Sequence, residues 1–101
     1  MIRHMVFWTL TEEARGEKRE AAMTAMKESA ERMGRLIPGV YKLEIGENLA
    51  GGPHDFVFYG EYESMEKLRE FQDHPLHQAH KEMAKDWVTN RACVDYEMDG
   101  K

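Results

Sequence analysis

Apolar positions along this chain switch between two periods, and the switches mark its elements. Residues 2–10 are β-branched and aromatic. Ile2, His4, Val6, Trp8 and Leu10 share one side, and Met5 and Phe7 lie on the other. A strand apolar on both sides is covered on both sides. A polar stretch follows, in which Thr9 or Thr11 offers a cap and Glu12, Glu13 and Glu17 suit the positive end of a helix. Met23, Met26, Ala30, Met33 and Ile37 then step by three and four, the stripe of an amphipathic helix. The spacing predicts a helix over 16–33 with Gly34 as its C-cap. Ile37-Pro38-Gly39-Val40 is a turn signal. From there the period drops to two, with Tyr41, Leu43 and Ile45 on one face and Lys42, Glu44 and Glu47 on the other. Gly51-Gly52-Pro53 marks a loop, and 56–62 reads as a second strand, apolar on both sides and therefore central.

Ser64 can cap a short helix with Met65, Leu68 and Phe71 inward. That helix meets a break at Asp73-His74-Pro75. Proline fits the first turn of a helix, and the residue before it is pushed out of the α region. A new helix is thus predicted to start at Pro75 with His74 at its N-cap and to run to about Lys85. Leu76, Ala79, His80, Met83 and Trp87 form its inner face, and His77 lies on the neighbouring stripe. The last strand covers 91–97, with Ala92, Cys93, Val94 and Tyr96, and 98–101 is a polar tail.

Strand, helix, strand, strand, broken helix, strand is the order of a ferredoxin-like α+β layer: a four-stranded antiparallel sheet with helices on one face. The whole chain, 1–101, is then one domain. The sheet's other face, with Met5, Phe7 and Val57, Tyr59 or Val94, needs a cover from outside this chain. A symmetric second copy, giving a homodimer through the sheet face, is the simplest.

Composition narrows the function classes. The formal net charge is −5, which disfavours nucleic acid, since phosphate binding needs clustered Lys and Arg. One cysteine, Cys93, excludes an internal disulfide. No apolar run approaches the ~20 residues of a membrane-spanning helix. The chain opens directly on a strand-like run without a signal peptide's order of regions, so a cytoplasmic protein is expected. Cys93 in an apolar strand reads as a buried small hydrophobe, and Trp8 and Trp87 as walls of a core or pocket.

Several words of the sequence occur together elsewhere. Ile2-Arg3-His4 opens strand one, Ile37-Pro38-Gly39-Val40 precedes strand two, and Gly46-Glu47-Asn48-Leu49 follows it. His74-Pro75-Leu76-His77 joins the helical pieces, and Val94-Asp95-Tyr96 lies in the last strand. In these words and their order the chain resembles the stress-responsive A/B barrel domain, a branch of the dimeric α/β-barrel superfamily. The resemblance implies a homodimer whose two sheets close face to face into a barrel. Most members look like proteins of unknown activity. One plant member closes a linear polyketide by intramolecular aldol condensation, with the last histidine of the His-Pro-x-His word as base and a tyrosine six residues earlier assisting. His77 matches that base. Phe71 stands at the tyrosine position and has no hydroxyl. His4 matches a pocket histidine on strand one, and a second pocket histidine falls on Phe56.

Proton abstraction next to a carbonyl needs a base poised near neutral pH, which neutral imidazole supplies. The enolate needs a donor, and with Phe71 at the tyrosine position His4, Tyr59 or water would have to provide it. The leading expectation is therefore a pocket between sheet and helices for a small carbonyl-containing or aromatic ligand. Its catalytic candidates are His77 and His4, and Phe71, His74, Phe56, Trp87, Met26 and Tyr59 are candidate ligand contacts. Any chemistry would be a cofactor-independent cyclase, isomerase or lyase reaction with His77 as base. The competing class is a non-catalytic, stress-associated structural dimer whose histidines only fix the helix junction. A haem- or quinol-type monooxygenase, as found in the superfamily, ranks third. His77 and His80 are one helical turn apart, but no acidic or thiol ligand has an evident place beside them, so neither a metal nor a cofactor is expected.

Overall fold

Strand β1 (Ile2–Leu10) runs through the middle of a four-stranded sheet. The computed structural model describes residues 1–98; beyond Met98 the expected polar tail lies outside the described residues. Two 3-10 turns (Glu12–Ala14 and Gly16–Lys18) lead into α1 (Arg19–Leu36). Then come β2 (Val40–Glu47), β3 (Phe56–Tyr62), α2 (Met65–Asp73), α3 (Pro75–Ala84) and β4 (Val88–Glu97). The strand order is β2-β3-β1-β4 with every neighbour antiparallel, a ferredoxin-like α+β fold with its helices on one face.

Register decides which side chains meet the helices. Val6 stands opposite Phe58 and Cys93, and His4 opposite Gly60 and Asp95. All of these point to the helical side, because side chains alternate across a strand. The core there divides in two. Ile2, Val6, Phe58, Tyr62, Leu68 and Phe71 gather with Ala30, Met33 and Ile37 at one end. Leu10, Met23, Met26, Phe56 and Ala84 gather at the other, with Trp87 packed against them.

Four local expectations are corrected. Gly34 does not end α1: the helix starts three residues later than the capping signals suggest and continues to Leu36, with the Ile37 N–H donating to the Met33 carbonyl. A Cβ at Gly34 would lie 3.4 Å from Leu43 Cβ, an ordinary van der Waals contact, so the packing of β2 does not require glycine there. Tyr41 is 61% exposed, because the β2–β3 register shifts between Val40 and Lys42 and hands the inner position to Val40. Met65 and Ala79 are exposed, so the inner stripe of α3 is carried by Leu76, His80 and Ala84 with half-buried His77 and Met83. Cys93 is exposed, because β4 is an edge strand over whose inner face the helices do not extend.

The outer face of the sheet carries Met5, Phe7, Val57, Tyr59, Val94 and Tyr96. The last two are 50% and 41% exposed. No helix of the described residues is long and apolar enough to cross a membrane.

Candidate functional site

The α2–α3 junction follows from local sequence. His74, held extended ahead of Pro75 (φ −67°, ψ 140°), accepts the Leu76 N–H on its Nδ1 at 3.1 Å. Pro75 takes the first helical position. The last carbonyls of α2 lack intrahelical partners, and two side chains of α3 satisfy one of them. The Gln78 amide donates to the Gln72 carbonyl at 2.7 Å, and His77 Nδ1 lies 3.2 Å from the same oxygen. A carbonyl only accepts, so His77 carries its proton on Nδ1 and keeps Nε2 as a free acceptor. Burial pushes the His77 pKa down, against the pull of the Gln72 carbonyl, with Lys81 and His4 adding to the shift. The ring is therefore neutral at pH 7.

Between α3 and the inner face of the sheet lies a cavity of about 600 Å³. Its floor is apolar: Val6 and Trp8 from β1, Phe56 and Phe58 from β3, Met26 from α1. His4, His77 and His80 all line it. Gln72, Asp73 and Gln78 stand at the helix junction, and Lys81, Lys85 and Arg91 at the other stretch of the wall.

His4 is 4% exposed, and its Nδ1 meets the Asp95 carboxylate in a short hydrogen bond across the β1–β4 ladder. A carboxylate behind an imidazole holds the ring and its tautomer, so Nε2 is again the free nitrogen. Tyr62 lies edge-on to His4, with ring centroids 6.0 Å apart. Its hydroxyl is buried without a hydrogen-bond partner, and burial, with Asp95 adding, keeps it protonated far above the ordinary tyrosine range. His80 is tied to α1 through Ser29 Oγ at 2.7 Å, and burial followed by the neighbouring His77 pushes its pKa down to about 4. The His77 and His80 rings lie nearly parallel, 6.4 Å apart.

The structure brings His77, His4, Phe56 and Met26 together on one cavity. It does not bring the other four candidates there. Phe71 is fully buried behind His77, its ring centroid 4.5 Å from the imidazole, and supports the base from the back. His74 is spent as a helix cap. Trp87 packs beside the second core cluster, and its carbonyl accepts the Thr11 N–H. Tyr59 lies on the outer sheet face and donates to Glu61 at 2.6 Å, so it cannot serve an enolate at His77. Sequence reasoning placed His80 on the inner face beside His77, but missed Asp95, Lys81 and Arg91 as neighbours of the site. Alternation in β4 does place Asp95 and Cys93 on one face, and Lys81 follows His77 by one turn. Arg91 shares that face by the same alternation, two residues before Cys93; next to it the β1–β4 register shifts opposite Trp8, and Asn90 takes a positive φ of 57°.

Among the described residues one trio could hold a metal ion: His4 Nδ1, Cys93 Sγ and an Asp95 oxygen lie within 4.8 Å of one another. The His4–Asp95 contact occupies that nitrogen and that carboxylate, so an ion would have to displace it.

Residues 2–98 match the Stress responsive A/B Barrel Domain, Dabb. The chain belongs to this family. Among solved structures, it is similar to a dimeric protein of unknown function with a ferredoxin-like fold from Bacteroides fragilis. The two are 28% identical, with a TM-score of 0.86 over 96% of this chain and 95% of the other. A Dabb family protein from Mesorhizobium loti is 23% identical, with a TM-score of 0.76 over 98% and 97%. A protein named antibiotic biosynthesis monooxygenase is 14% identical, with a TM-score of 0.75 over 97% and 98%, a likeness of fold alone. No curated protein matches the chain at a significant level.

Proposed function

We propose that this A/B barrel protein binds a small, largely apolar carbonyl compound in the cavity and performs acid–base chemistry on it, of the cyclase or isomerase kind. The observation that carries this reading is the pairing of His77 and His4 on one apolar cavity, each with Nδ1 tied back and Nε2 free. His77, neutral through burial, is the base that takes a proton from the carbon next to the carbonyl. His4, when protonated, donates from Nε2 to the enolate oxygen, with Asp95 on Nδ1 to hold the imidazolium. This replaces the donor that Phe71 cannot supply. The protein works as a homodimer closed through its outer sheet face, where Met5, Phe7, Val94 and Tyr96 need a cover. The Bacteroides fragilis neighbour is described as dimeric.

The test is deuterium exchange next to the carbonyl of 2-octanone in D₂O, followed by proton NMR. Wild type should accelerate exchange, and His77→Ala should lose about 10²- to 10⁴-fold of the acceleration, the usual contribution of a positioned base. Equal rates for wild type and His77→Ala would overturn the reading and leave His77 as a structural group of the helix junction.

A further inference from the structure

The charge around the cavity runs against the charge of the chain. The protein has 19 acidic and 14 basic residues, yet the charged residues lining the cavity are Lys81, Lys85 and Arg91 against Asp73. Lys85 is engaged, with its Nζ 2.6 Å from Glu82. Lys81 and Arg91 have no carboxylate within 4.0 Å among the described residues. They come from different walls, Lys81 from α3 and Arg91 from β4. Arg91 shares the inner face of β4 with Cys93 and Asp95, and its guanidinium carbon sits 6.0 Å from the Trp8 ring centroid. Two unneutralised cations beside a cavity whose floor is Val6, Trp8, Phe56, Phe58 and Met26 describe a ligand with an apolar body and an anionic end.

We propose that the cavity takes an amphipathic carboxylate, its apolar body on the sheet floor and its carboxylate between Lys81 and Arg91. His77 and Lys81 are four residues apart on α3, roughly 6 Å along the helix axis. A carboxylate held by Lys81 therefore leaves the nearer chain carbons beside His77, and a keto or aryl acid places its reactive carbon there. This inference rests on the cavity reading given above and adds to it the charge of the ligand.

Octanoate, octanol and octylamine separate the two. Each is titrated into ¹⁵N-labelled protein while the Trp8 indole and His77 ring signals are followed. Octanoate should bind about tenfold tighter than octanol, the effect of two exposed ion pairs well within their usual range, and octylamine should be weakest. Lys81→Gln and Arg91→Gln should each lose severalfold for octanoate and leave octanol unchanged, and the double variant should remove the preference. Octanol binding as tightly as octanoate, or octanoate affinity unchanged in the double variant, would overturn the acid while leaving the cavity as a binding site. If none of the three moved the Trp8 and His77 signals, the ligand cavity itself would be refuted.

Discussion

The pH dependence of stability tests the burial of the cavity's histidines. His80 is 8% exposed, bonded to Ser29, and its pKa is pushed down to about 4 from the ordinary 6.5. Below pH 6.5 the unfolded chain takes up a proton at this position that the folded protein refuses. Stability is therefore complete above pH 6.5 and falls as pH drops towards 4. With those two pKa values the loss is about 2 kcal/mol at pH 5 and about 3 kcal/mol at pH 4. His77 shifts in the same direction and adds to the slope. The assay is urea unfolding at pH 7, 6, 5 and 4, at one protein concentration because self-association makes stability depend on it, for wild type and His80→Asn. Carboxylates titrate in both proteins, so the difference in slope isolates His80. Wild type should lose about 2 kcal/mol more than the variant between pH 7 and pH 5. Parallel slopes would show that His80 accepts a proton in the folded protein and that α3 does not pack against α1 as described.

Glycine substitutions give opposite outcomes at two positions. A Cβ at Gly60 would lie 2.5 Å from the Tyr62 hydroxyl and 2.8 Å from Leu43 Cδ2, with the Tyr62 ring fully buried. Gly60→Ala should thus cost about 1–3 kcal/mol in chemical denaturation, whereas Gly34→Ala, inside α1 with ordinary contacts, should gain up to about 1 kcal/mol. His74→Ala removes the acceptor of the Leu76 N–H and should cost about 1 kcal/mol in the same assay, while deuterium exchange at the cavity persists.

The elements were legible because each carries its own period. The two-sided apolar pattern marked 56–62 as a central strand and 2–10 as a strand covered on both faces, and Pro75 marked the helix break. Features set by contact between distant segments were not legible. Gly34 looks like a helix end, yet the ladder of α1 runs through it to Leu36 and closes with the Ile37 N–H on the Met33 carbonyl. Tyr41 fits an alternating strand, but the register shift beside it reverses its face. The same division holds for the site. His77 and His4 could be named from short words in the sequence, whereas the partner of His4, Asp95, lies 91 residues away and is set by strand pairing. Tyr59 was an inward candidate only while the phase of β3 was open; pairing with Met5 turns it to the outer face.

The most direct measurement is the tautomer of His77, from long-range ¹H–¹⁵N correlation spectra at pH 7. A neutral ring with the proton on Nδ1 and a bare Nε2 is expected, because the Gln72 carbonyl at 3.2 Å only accepts and burial disfavours the charged form. A proton on Nε2 at that pH, in either the other neutral tautomer or the imidazolium, would leave the cavity without its base.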